Sequence, residues 1–379
     1  MVGIVSKPDT QEKLEILSAD AQYDLACACG ASKDDHRKRG GEGKWIYPVT
    51  LPSGGKSLLF KTLLSNVCAN DCKYCPLREQ VDVRRTSLKP EEATRVFLDY
   101  YNQRKVFGLF LSSGVAGTAD STMERLNGVA RLLRRKHRFR GYIHLKVIPG
   151  SSDAAIEEAV SLASAVSLNI ETPGAECLEK VSRKKDYIRD IIEPIKLISK
   201  LTEPGSRYEK VKQTTQFIVG AAGEPDSKIV RYMSGLYERL KMQRVYFSAY
   251  QKGLGDESIA GEQAEQTGPH DILMREHRLY QVDFLFRRYG FAESDIIFES
   301  DGNLSLATDP KEAWAQSHPE SFPVNVNRAS RLSLLRVPGL GPVTVRRILA
   351  RRKQTRIKSI EDVDKTTVRL AKASQYLSF

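Results

Sequence analysis

The sequence predicts an α/β protein, built as a partial (β/α)6 barrel and followed by a small all-α C-terminal module. Two observations lead to this prediction. Short β-rich runs alternate with amphipathic helical patterns between residues 61 and 250, and a basic helical segment begins near residue 326. Strands that alternate with helices pair in parallel through right-handed crossovers. Six such units fall short of a complete eight-fold barrel of roughly 250 residues, and a doubly wound open sheet is the alternative.

The individual elements follow from hydrophobic periodicity, which differs between strands and helices. In residues 228–241, for example, Ile229, Met233 and Leu236 share one helix face, and Pro90 and Asp226 stand where helices begin. We predict strands near Lys61–Leu64, Gly108–Ser112, Tyr142–Ile148, Ala165–Glu171, Gln216–Gly220 and Val245–Tyr250. We predict helices at Glu91–Arg104, Met123–Lys136, Asp153–Ala163, Asp186–Lys200, Lys228–Lys241 and His277–Tyr289.

Proline placement and charge divide the 379 residues into four predicted parts. Residues 1–55 form an N-terminal extension that packs on the barrel, and residues 56–308 form the barrel. Residues 309–325 contain Pro310, Pro319 and Pro323 and are predicted to be a linker. Residues 326–379 form the C-terminal module.

Composition excludes several classes of protein. A hydrophobic content of 41% with 13 Phe and 15 Tyr is too high for a disordered chain, and no run approaches the ~18 apolar residues of a membrane-spanning helix. The first residues lack the apolar stretch of a secretory signal, and six cysteines are too few for a disulfide scaffold. We therefore expect a cytoplasmic protein.

The positive charge is concentrated near the C-terminal end. The whole chain carries a formal charge of +12, and residues 326–379 hold 13 basic and three acidic side chains, so the first 325 residues are nearly balanced. Such a segment favours a polyanion, most simply nucleic acid, because basic side chains neutralise phosphates and release counterions. A solvated helix face is the alternative.

Cys68, Cys72 and Cys75 follow the first predicted strand in a C-x3-C-x2-C arrangement. Thiolates this close wrap around a common centre, and soft sulfur ligands select zinc or iron–sulfur clusters. Structural zinc needs a fourth ligand, but the next cysteine is Cys177 and the next histidine is His137. Three cysteines on a four-iron cluster leave one iron open for chemistry, and we predict such an open cluster rather than zinc.

This cysteine motif after the first strand of a partial β/α barrel resembles the signature of radical S-adenosylmethionine (radical SAM) enzymes. The resemblance implies that the three cysteines hold a 4Fe–4S cluster, whose open iron binds the amine and carboxylate of S-adenosylmethionine (SAM). It also implies that an external electron donor drives cleavage of SAM to a 5′-deoxyadenosyl radical. Tyr74, the aromatic residue before the last cysteine, would lie against the adenine.

Further segments resemble SAM-binding motifs of the same family, each at the C-terminal end of a predicted strand, where barrel sites form. The second strand ends in Ser112, Ser113 and Gly114, in place of the commoner Gly-Gly-Glu at the methionyl amine. The departure implies that a hydroxyl or a backbone carbonyl makes the amine contact instead of a carboxylate.

The fourth and fifth strands carry the remaining predicted cofactor residues. Asn169 and Glu171 are similar to the residues that meet the methionyl carboxylate and the ribose hydroxyls, and their spacing puts both on one face of a strand. Ile218 and Gly220 resemble the adenine-side motif, whereas Glu224 lies one residue later than the usual acid and is not included.

Each of these residues also has a purely structural interpretation. Gly114 and Gly220 could be turn residues, and Asn169 and Glu171 could form a polar pair at a strand end. Lys146 on the third strand could reach the barrel mouth, but we predict a surface position for it. Four features in barrel order together favour a cofactor site.

The C-terminal module contains LLRVPGLGPVTVRRILARRK from Leu334. A helix end, a Pro-Gly-Leu-Gly turn and a new helix predict a helix–hairpin–helix arrangement, in which backbone N–H groups at the helix start bind phosphate. This resembles the helix–hairpin–helix modules of DNA repair proteins and implies binding without sequence specificity. A protein-docking or purely structural hairpin is the alternative. The predicted nucleic-acid contacts are Gly339, Leu340, Gly341, Thr344, Arg346 and Arg347, with Arg351 and Arg352 extending them.

Over nearly the whole chain, the sequence resembles one family of radical SAM proteins associated with DNA modification or repair, through HRLYQVDFLFRRYGF, ATDPKEAWAQSHPESFPVNVNRA and LLRVPGLGP. That family is associated with a uracil-DNA-glycosylase-like protein, so the resemblance implies such a partner. We therefore predict a radical SAM enzyme of DNA modification or repair, which would need local opening or base flipping of a duplex. The alternatives are an RNA-, tRNA- or protein-modifying radical SAM enzyme and a non-catalytic, metal-bound nucleic-acid scaffold.

Three cysteines lie outside the motif: Cys27, Cys29 and Cys177. They could bind an auxiliary cluster, but free cysteine packs like a small apolar residue, and we predict that role for them. The basic run from His36 to Gly41 is predicted to be a solvated loop.

Overall fold

Strands β1 to β7 form a curled sheet in the order of the sequence. The computed structural model describes residues 8–24, 45–50, 55–264, 269–363 and 367–379. The strands are β1 Ile46–Thr50, β2 Lys56–Leu63, β3 Gly108–Ser112, β4 Tyr142–Lys146, β5 Ala165–Ser167, β6 Lys212–Val219 and β7 Arg244–Ala249. Strands β2 to β7 pair in parallel, which confirms the predicted α/β class.

Strand order separates the two predicted architectures. A doubly wound sheet requires a point at which the strand order reverses, whereas each parallel strand here neighbours the next one in the sequence. The curled half-barrel is therefore confirmed. Strand β1 is an addition to it and pairs antiparallel with β2, with Ile46 opposite Phe60. Because β1 lies at the sheet edge, it tolerates Pro48, which has no N–H to donate.

Helices connect the strands of this sheet. Those before residue 241 are α1 Thr10–Asp20, α2 Pro90–Asn102, α3 Ala119–Arg131, α4 Asp153–Leu162, α5 Ala175–Val181, α6 Glu193–Leu201 and α7 Asp226–Leu240. Those after it are α8 Ala260–Gln263, α9 Pro269–Phe284, α10 Pro310–Ser317, α11 Arg331–Arg336, α12 Pro342–Arg351 and α13 Val368–Ser374. Single π-helical segments, Leu132–Lys136, Tyr187–Ile192 and Leu285–Tyr289, complete three of the helices that the sequence predicts as continuous.

The chain divides into two compact units, and the division differs from the predicted domains. Unit 1 comprises residues 1–224 and 235–266, and unit 2 comprises residues 225–234 and 267–379. The boundary therefore passes along α7 and near residue 267 rather than through residues 309–325. Cys27, Cys29 and the run from His36 to Gly41 lie outside the described residues. Cys177 is buried, in agreement with the structural role predicted for it.

Helix α1 belongs to unit 1 and is fixed to its neighbours at both ends. Asp9 and Glu12 form a capping box at its start, and the ammonium of Lys13 lies 2.9 Å from the Glu92 carboxylate of α2. Leu14 and Leu17 are fully buried. The N-terminal segment thus packs on the barrel through its described helix.

The segment predicted as a linker is an ordered part of unit 2. Helix α10 begins at Pro310, and the side chain of Asp309 caps its start by accepting hydrogen bonds from backbone N–H groups of the first turn. Trp314 of this helix is buried. Trp314 stacks on His318 and lies under the guanidinium of Arg336, which also pairs with Asp295. The prolines therefore mark the start and end of a short helix rather than an extended connection.

The end of the chain packs around its own apolar cluster in unit 2. Strands β8 Val324–Asn325 and β9 Leu377–Ser378 pair in parallel and bring the last residues beside the start of the module. Helices α11 and α12 contribute Leu334, Leu335, Val345 and Ile348 to the cluster, all fully buried. No helix among the described residues is long and apolar enough to cross a membrane.

A buried lysine in unit 2 makes its stability depend on pH. Burial lowers the pKa of Lys311 to about 7, although Asp309 opposes the shift. The Lys311 ammonium donates to the Leu340 carbonyl at 2.6 Å and lies 4.6 Å from the Tyr289 ring centroid. Above about pH 7, the unfolded chain binds a proton here that the folded chain does not, so stability contributed by this site rises with pH up to the ordinary lysine range.

We expect the unfolding free energy of the wild type, relative to a Lys311→Met variant, to increase between pH 7 and pH 9. The increase should be at most about 1.4 kcal/mol per pH unit, and urea unfolding followed by circular dichroism measures it. Exposed Lys358→Met serves as the matched control, for which the difference should stay flat. A pH-independent difference for Lys311→Met would contradict the assignment.

Candidate active site

A cavity in unit 1 opens at the carboxyl ends of the parallel strands. Its wall includes the last residues of β2 and β3, Leu63 and Ser112, and Lys146 at the end of β4. The space that the centre of a water molecule can occupy in this cavity measures about 180 Å³, and all of the empty space, the part open to solvent included, measures about 1110 Å³. The predicted site residues that line it are Cys68, Cys72, Tyr74, Cys75, Ser112, Ser113, Gly114, Asn169, Glu171 and Ile218.

The loop that carries the three cysteines is organised by one arginine. The guanidinium of Arg85 donates to the carbonyls of Asn66 and Leu77 at 2.5 and 2.9 Å, and to those of Arg78 and Val81 at 2.9 and 2.8 Å. Four carbonyl contacts from one rigid, planar group hold the two ends of the loop together. The cysteine positions are therefore fixed by the protein itself.

The three cysteines are free thiols around the same cavity. Burial raises the pKa of Cys72, and it raises the pKa of Cys75 to about 12, with the neighbouring Cys72 adding to the effect. Thiolates at these positions need a nearby positive charge. No group of three His, Cys, Asp or Glu among the described residues is close enough to hold a single ion. Each cysteine of an iron–sulfur cluster binds a different iron, so the thiols need not converge on one atom.

Lys185 supplies a positive charge beside the thiols. Its ammonium lies 3.5 Å from the Glu171 carboxylate and 3.5 Å from the Tyr74 hydroxyl, and its side chain is 7% exposed. Burial opposes its charge, but the Cys72 and Glu171 side chains outweigh burial and raise the pKa of Lys185 above its usual value. Lys185 therefore stays charged inside the cavity wall.

Asp71, within the cysteine motif, holds the segment that presents Lys185. Its carboxylate accepts hydrogen bonds from the Ser182 hydroxyl at 2.6 Å and from the backbone N–H groups of Arg183 and Lys184 at 2.9 and 3.3 Å. Burial opposes ionisation, but these hydrogen bonds lower the pKa of Asp71. The cysteine loop and the lysine segment are thus joined directly.

The loop after β3 lies against the cysteine loop through Gly114. Its N–H donates to the Ser65 carbonyl at 2.7 Å, and a Cβ at Gly114 would stand 2.5 Å from the Val67 carbonyl oxygen. Only glycine permits this approach. The Ser113 hydroxyl donates to the carbonyl of Gly114 at 2.7 Å, so its oxygen still has lone pairs to accept a hydrogen bond, and Ser113 lines the cavity.

Asn169 and Glu171 both reach the cavity, but not as residues of one regular strand. Strand β5 ends at Ser167, and Glu171 has the left-handed backbone conformation, with φ of +63°. This conformation is costly for a residue with a side chain and is concentrated at functional sites. The Asn169 amide lies 3.5 Å from the Glu171 carboxylate, so the predicted polar pair and the predicted shared cavity are both present.

Gly220 does not line the cavity, unlike Ile218 two residues earlier. Gly220 has φ of +90° and donates its N–H to the Glu224 carboxylate at 2.5 Å, and Glu224 also accepts from the N–H of Ala222. Both residues therefore shape the turn after β6. The turn interpretation of Gly220 accounts for its position.

Several polar residues of the cavity wall were not predicted as site residues, among them Asp20, Lys146, Lys185 and Gln216. Lys146 is half-buried in the wall, so its predicted surface position is wrong. Asp20 accepts a hydrogen bond from the Asn66 amide at 2.7 Å, and burial raises its pKa. The strand alternation that places Ile218 in the cavity also places Gln216 there, and this pattern could have revealed it.

Comparison with known proteins identifies the central part of the chain. Residues 62–234 match the family model of the radical SAM superfamily. These residues form a radical SAM domain. Proteins of this superfamily use a 4Fe–4S cluster and SAM as cofactors, and these are the cofactors of the domain. No curated protein matches the chain.

Solved structures similar in fold to this radical SAM domain have low sequence identity. The FeFe-hydrogenase maturase HydG from Carboxydothermus hydrogenoformans is 16% identical with a TM-score of 0.46, over 60% of this chain and 52% of that one. Methylornithine synthase (PylB) is 13% identical with a TM-score of 0.45, over 60% and 63% of the two chains. The methyltransferase TsrM from Kitasatospora setae is 18% identical with a TM-score of 0.38, over 50% and 35%. This chain thus spans about a third to two thirds of the length of these proteins.

The residues of the radical SAM domain fit both cofactors. Three free thiols beside a lysine ammonium suit an iron–sulfur cluster, which would supply the electron that cleaves SAM. The Lys185 ammonium suits the carboxylate of SAM, and the Ser113 hydroxyl oxygen and the Glu171 carboxylate suit its ammonium and hydroxyl groups. The cavity wall therefore offers a partner for each charged end of the methionyl group.

We expect serine substitutions of Cys68, Cys72 or Cys75 to abolish iron binding by the radical SAM domain. After anaerobic reconstitution, iron content should fall from about four atoms per chain to near zero, because a hydroxyl is a poor ligand for iron in a cluster. Buried Cys177→Ser is the matched control and should retain iron. Equal iron loss in the control would show that general unfolding, not ligation, causes the effect.

We expect Lys185→Met to weaken SAM binding by roughly ten- to a hundredfold, because a charge-assisted hydrogen bond to the ligand is lost. Most iron should be retained, because the positive charge of bound iron itself stabilises the thiolates once the cluster is in place. Equilibrium dialysis with labelled SAM measures the affinity, and Lys185→Arg should restore part of it. Lys184→Met is the control, since Lys184 is exposed and pairs with Glu79. Unchanged affinity in Lys185→Met would exclude the contact.

Proposed function

We propose that this chain is a radical SAM enzyme that modifies nucleic acid, with DNA as the substrate, and that unit 2 binds the phosphate backbone. The observation that carries the nucleic-acid part is the hairpin between α11 and α12. It combines a glycine turn, a helix start and exposed arginines within one short segment. The radical SAM domain supplies the reaction class.

The geometry of the hairpin supports phosphate binding. Gly339 has φ of +84°, and Leu340 is only 2% exposed within the apolar cluster of unit 2. Gly341 caps the start of α12, and Pro342 occupies its first position. The first turn of a helix has N–H groups without partners inside the helix, and the helix dipole favours an anion there. A buried leucine fixes the turn, so that these N–H groups are held in position.

The basic side chains of this module divide into two groups. Arg346, Arg347 and Arg351 are exposed on α12. Arg352 was predicted to add a nucleic-acid contact, but its guanidinium donates to the carbonyls of Val326 and Ala329 at 3.2 and 2.7 Å. Its role is therefore structural.

Two further basic residues of the module are also used inside unit 2. Arg336 makes a paired contact with Asp295 at 2.8 and 2.9 Å, and Lys372 pairs with Glu312. Fewer charges are free than the sequence count suggests. The exposed ones include Arg346 and Arg347 on α12, beside the hairpin, and also Arg328, Lys353 and Arg356 elsewhere in the module.

The choice of DNA rests on resemblance to proteins of DNA modification and repair, which also implies a uracil-DNA-glycosylase-like partner. The phosphate contacts themselves suit any nucleic acid. A target base within a duplex is not accessible to a cavity of this kind, so the proposal includes local opening or base flipping. Transfer RNA is the alternative substrate, and binding experiments distinguish the two.

We expect a double variant, Arg346→Glu and Arg347→Glu, to bind a 30-base-pair duplex at least about tenfold more weakly than the wild type. Its affinity should also depend less on salt, with a log–log slope smaller by about two, because two phosphate contacts are lost. Fluorescence anisotropy across a salt series measures both. Cleavage of SAM to 5′-deoxyadenosine by the dithionite-reduced protein should be unaffected.

The control is a double variant with the same charge change in unit 1, Lys200→Glu and Lys210→Glu, both exposed in the wild type. An equal loss of affinity in this control would show that the change in net charge alone weakens binding, and it would contradict the hairpin assignment. Tighter binding of transfer RNA than of duplex or single-stranded DNA would favour an RNA substrate.

A further inference from the structure

Gln216 on β6 is a buried polar side chain whose amide nitrogen has no hydrogen-bond partner. The residue is 8% exposed and lines the cavity of the radical SAM domain. Its Nε2 atom is buried and unpartnered. A buried donor without an acceptor costs about 1–3 kcal/mol, and most buried polar groups in native proteins are paired.

The neighbours of Gln216 indicate which part of a ligand it would meet. The Glu171 N–H donates to the Gln216 carbonyl at 3.0 Å, and the Ile218 N–H donates to the Glu171 carbonyl at 2.8 Å. Gln216 is therefore held directly beside Glu171 in the wall. It also shares a strand face with Ile218, two residues later.

We propose that Gln216 binds the adenosyl part of SAM, by donating its amide N–H to a ring nitrogen or a ribose oxygen. The inference rests on the radical SAM chemistry of the proposed function and on the roles that the family resemblance gives to Glu171 at the ribose and to Ile218 on the adenine side. A group that reaches Glu171 and Ile218 passes beside Gln216. The terminal torsion of glutamine is soft, so a small rotation turns the buried N–H towards the ligand.

The chemistry of the amide makes the contact specific for an acceptor. A Gln216→Met variant keeps the length and approximate volume of the side chain but has no donor. In the cofactor-free protein, this variant removes an unpartnered polar group, so its thermal midpoint should stay unchanged or rise by about 1–2 °C. In the SAM complex, it removes a hydrogen bond.

The experiment compares ligand affinities of anaerobically reconstituted, cluster-loaded protein by equilibrium dialysis. We expect Gln216→Met to raise the dissociation constants of both SAM and 5′-methylthioadenosine by about tenfold. The second probe has the adenosyl part but no methionyl carboxylate or amine, so an equal loss for both localises the contact. Iron content serves as the check that the cluster is retained.

Gln213 offers a matched control on the opposite face of the same strand. It is 5% exposed, and its amide donates to the Ile195 carbonyl at 2.8 Å, away from the cavity wall. Gln213→Met removes this bond and also a buried amide oxygen that has no partner, and it should leave both affinities unchanged.

Wild-type affinity in Gln216→Met, or a loss for SAM alone, would overturn the inference. An equal weakening in Gln213→Met would also overturn it, because the effect would then come from general strain in β6. Failure of the wild-type protein to bind SAM at all would instead contradict the proposed function on which the inference rests. The two failures are therefore distinguishable.

Discussion

The Lys185 ammonium and the Glu171 carboxylate face each other at 3.5 Å in a wall where both side chains are less than 10% exposed. Removing two charges from water is expensive, and their attraction offsets this cost only when further polar partners are present. Here the partners are Asn169, Tyr74 and the thiol of Cys72. A site that keeps a buried cation beside three cysteines favours their thiolate form, which is the form that binds iron.

This arrangement depends on contacts between loops that are distant in sequence. Asp71 ties the cysteine loop to the segment before Lys185, and Gly114 lets the loop after β3 approach the same cysteine loop. Glu171 reaches the cavity only through a left-handed backbone conformation. Parallel pairing brings the carboxyl ends of the strands to one edge of the sheet. The contacts of Asp71, Gly114 and Glu171 therefore all shape the same cavity.

In unit 2, the structure separates basic side chains that are paired inside the unit from those that are exposed, a distinction that a count of charges in the sequence does not make. Three basic side chains are paired within the same unit: Arg352 donates to a backbone carbonyl, and Arg336 and Lys372 form ion pairs with carboxylates. Arg346 and Arg347 remain exposed beside the hairpin. Lys311 supports the hairpin from inside through the Leu340 carbonyl. The proposed phosphate site is thus one part of a larger set of exposed basic side chains in this module, a distribution that suits contacts to a phosphate backbone.

The sequence by itself determined the cysteine spacing, the alternation of strands and helices and the glycine turn of the hairpin, because these are local patterns of a few residues. It also located Asn169, Glu171 and Ile218 through short motifs. Only the tertiary structure decided that Lys185 and Asp20 share the cavity, that residues 309–325 contain a helix and that Arg352 is structural. These depend on which distant segments pack together, and on whether a side chain finds a partner there. No local pattern records either condition.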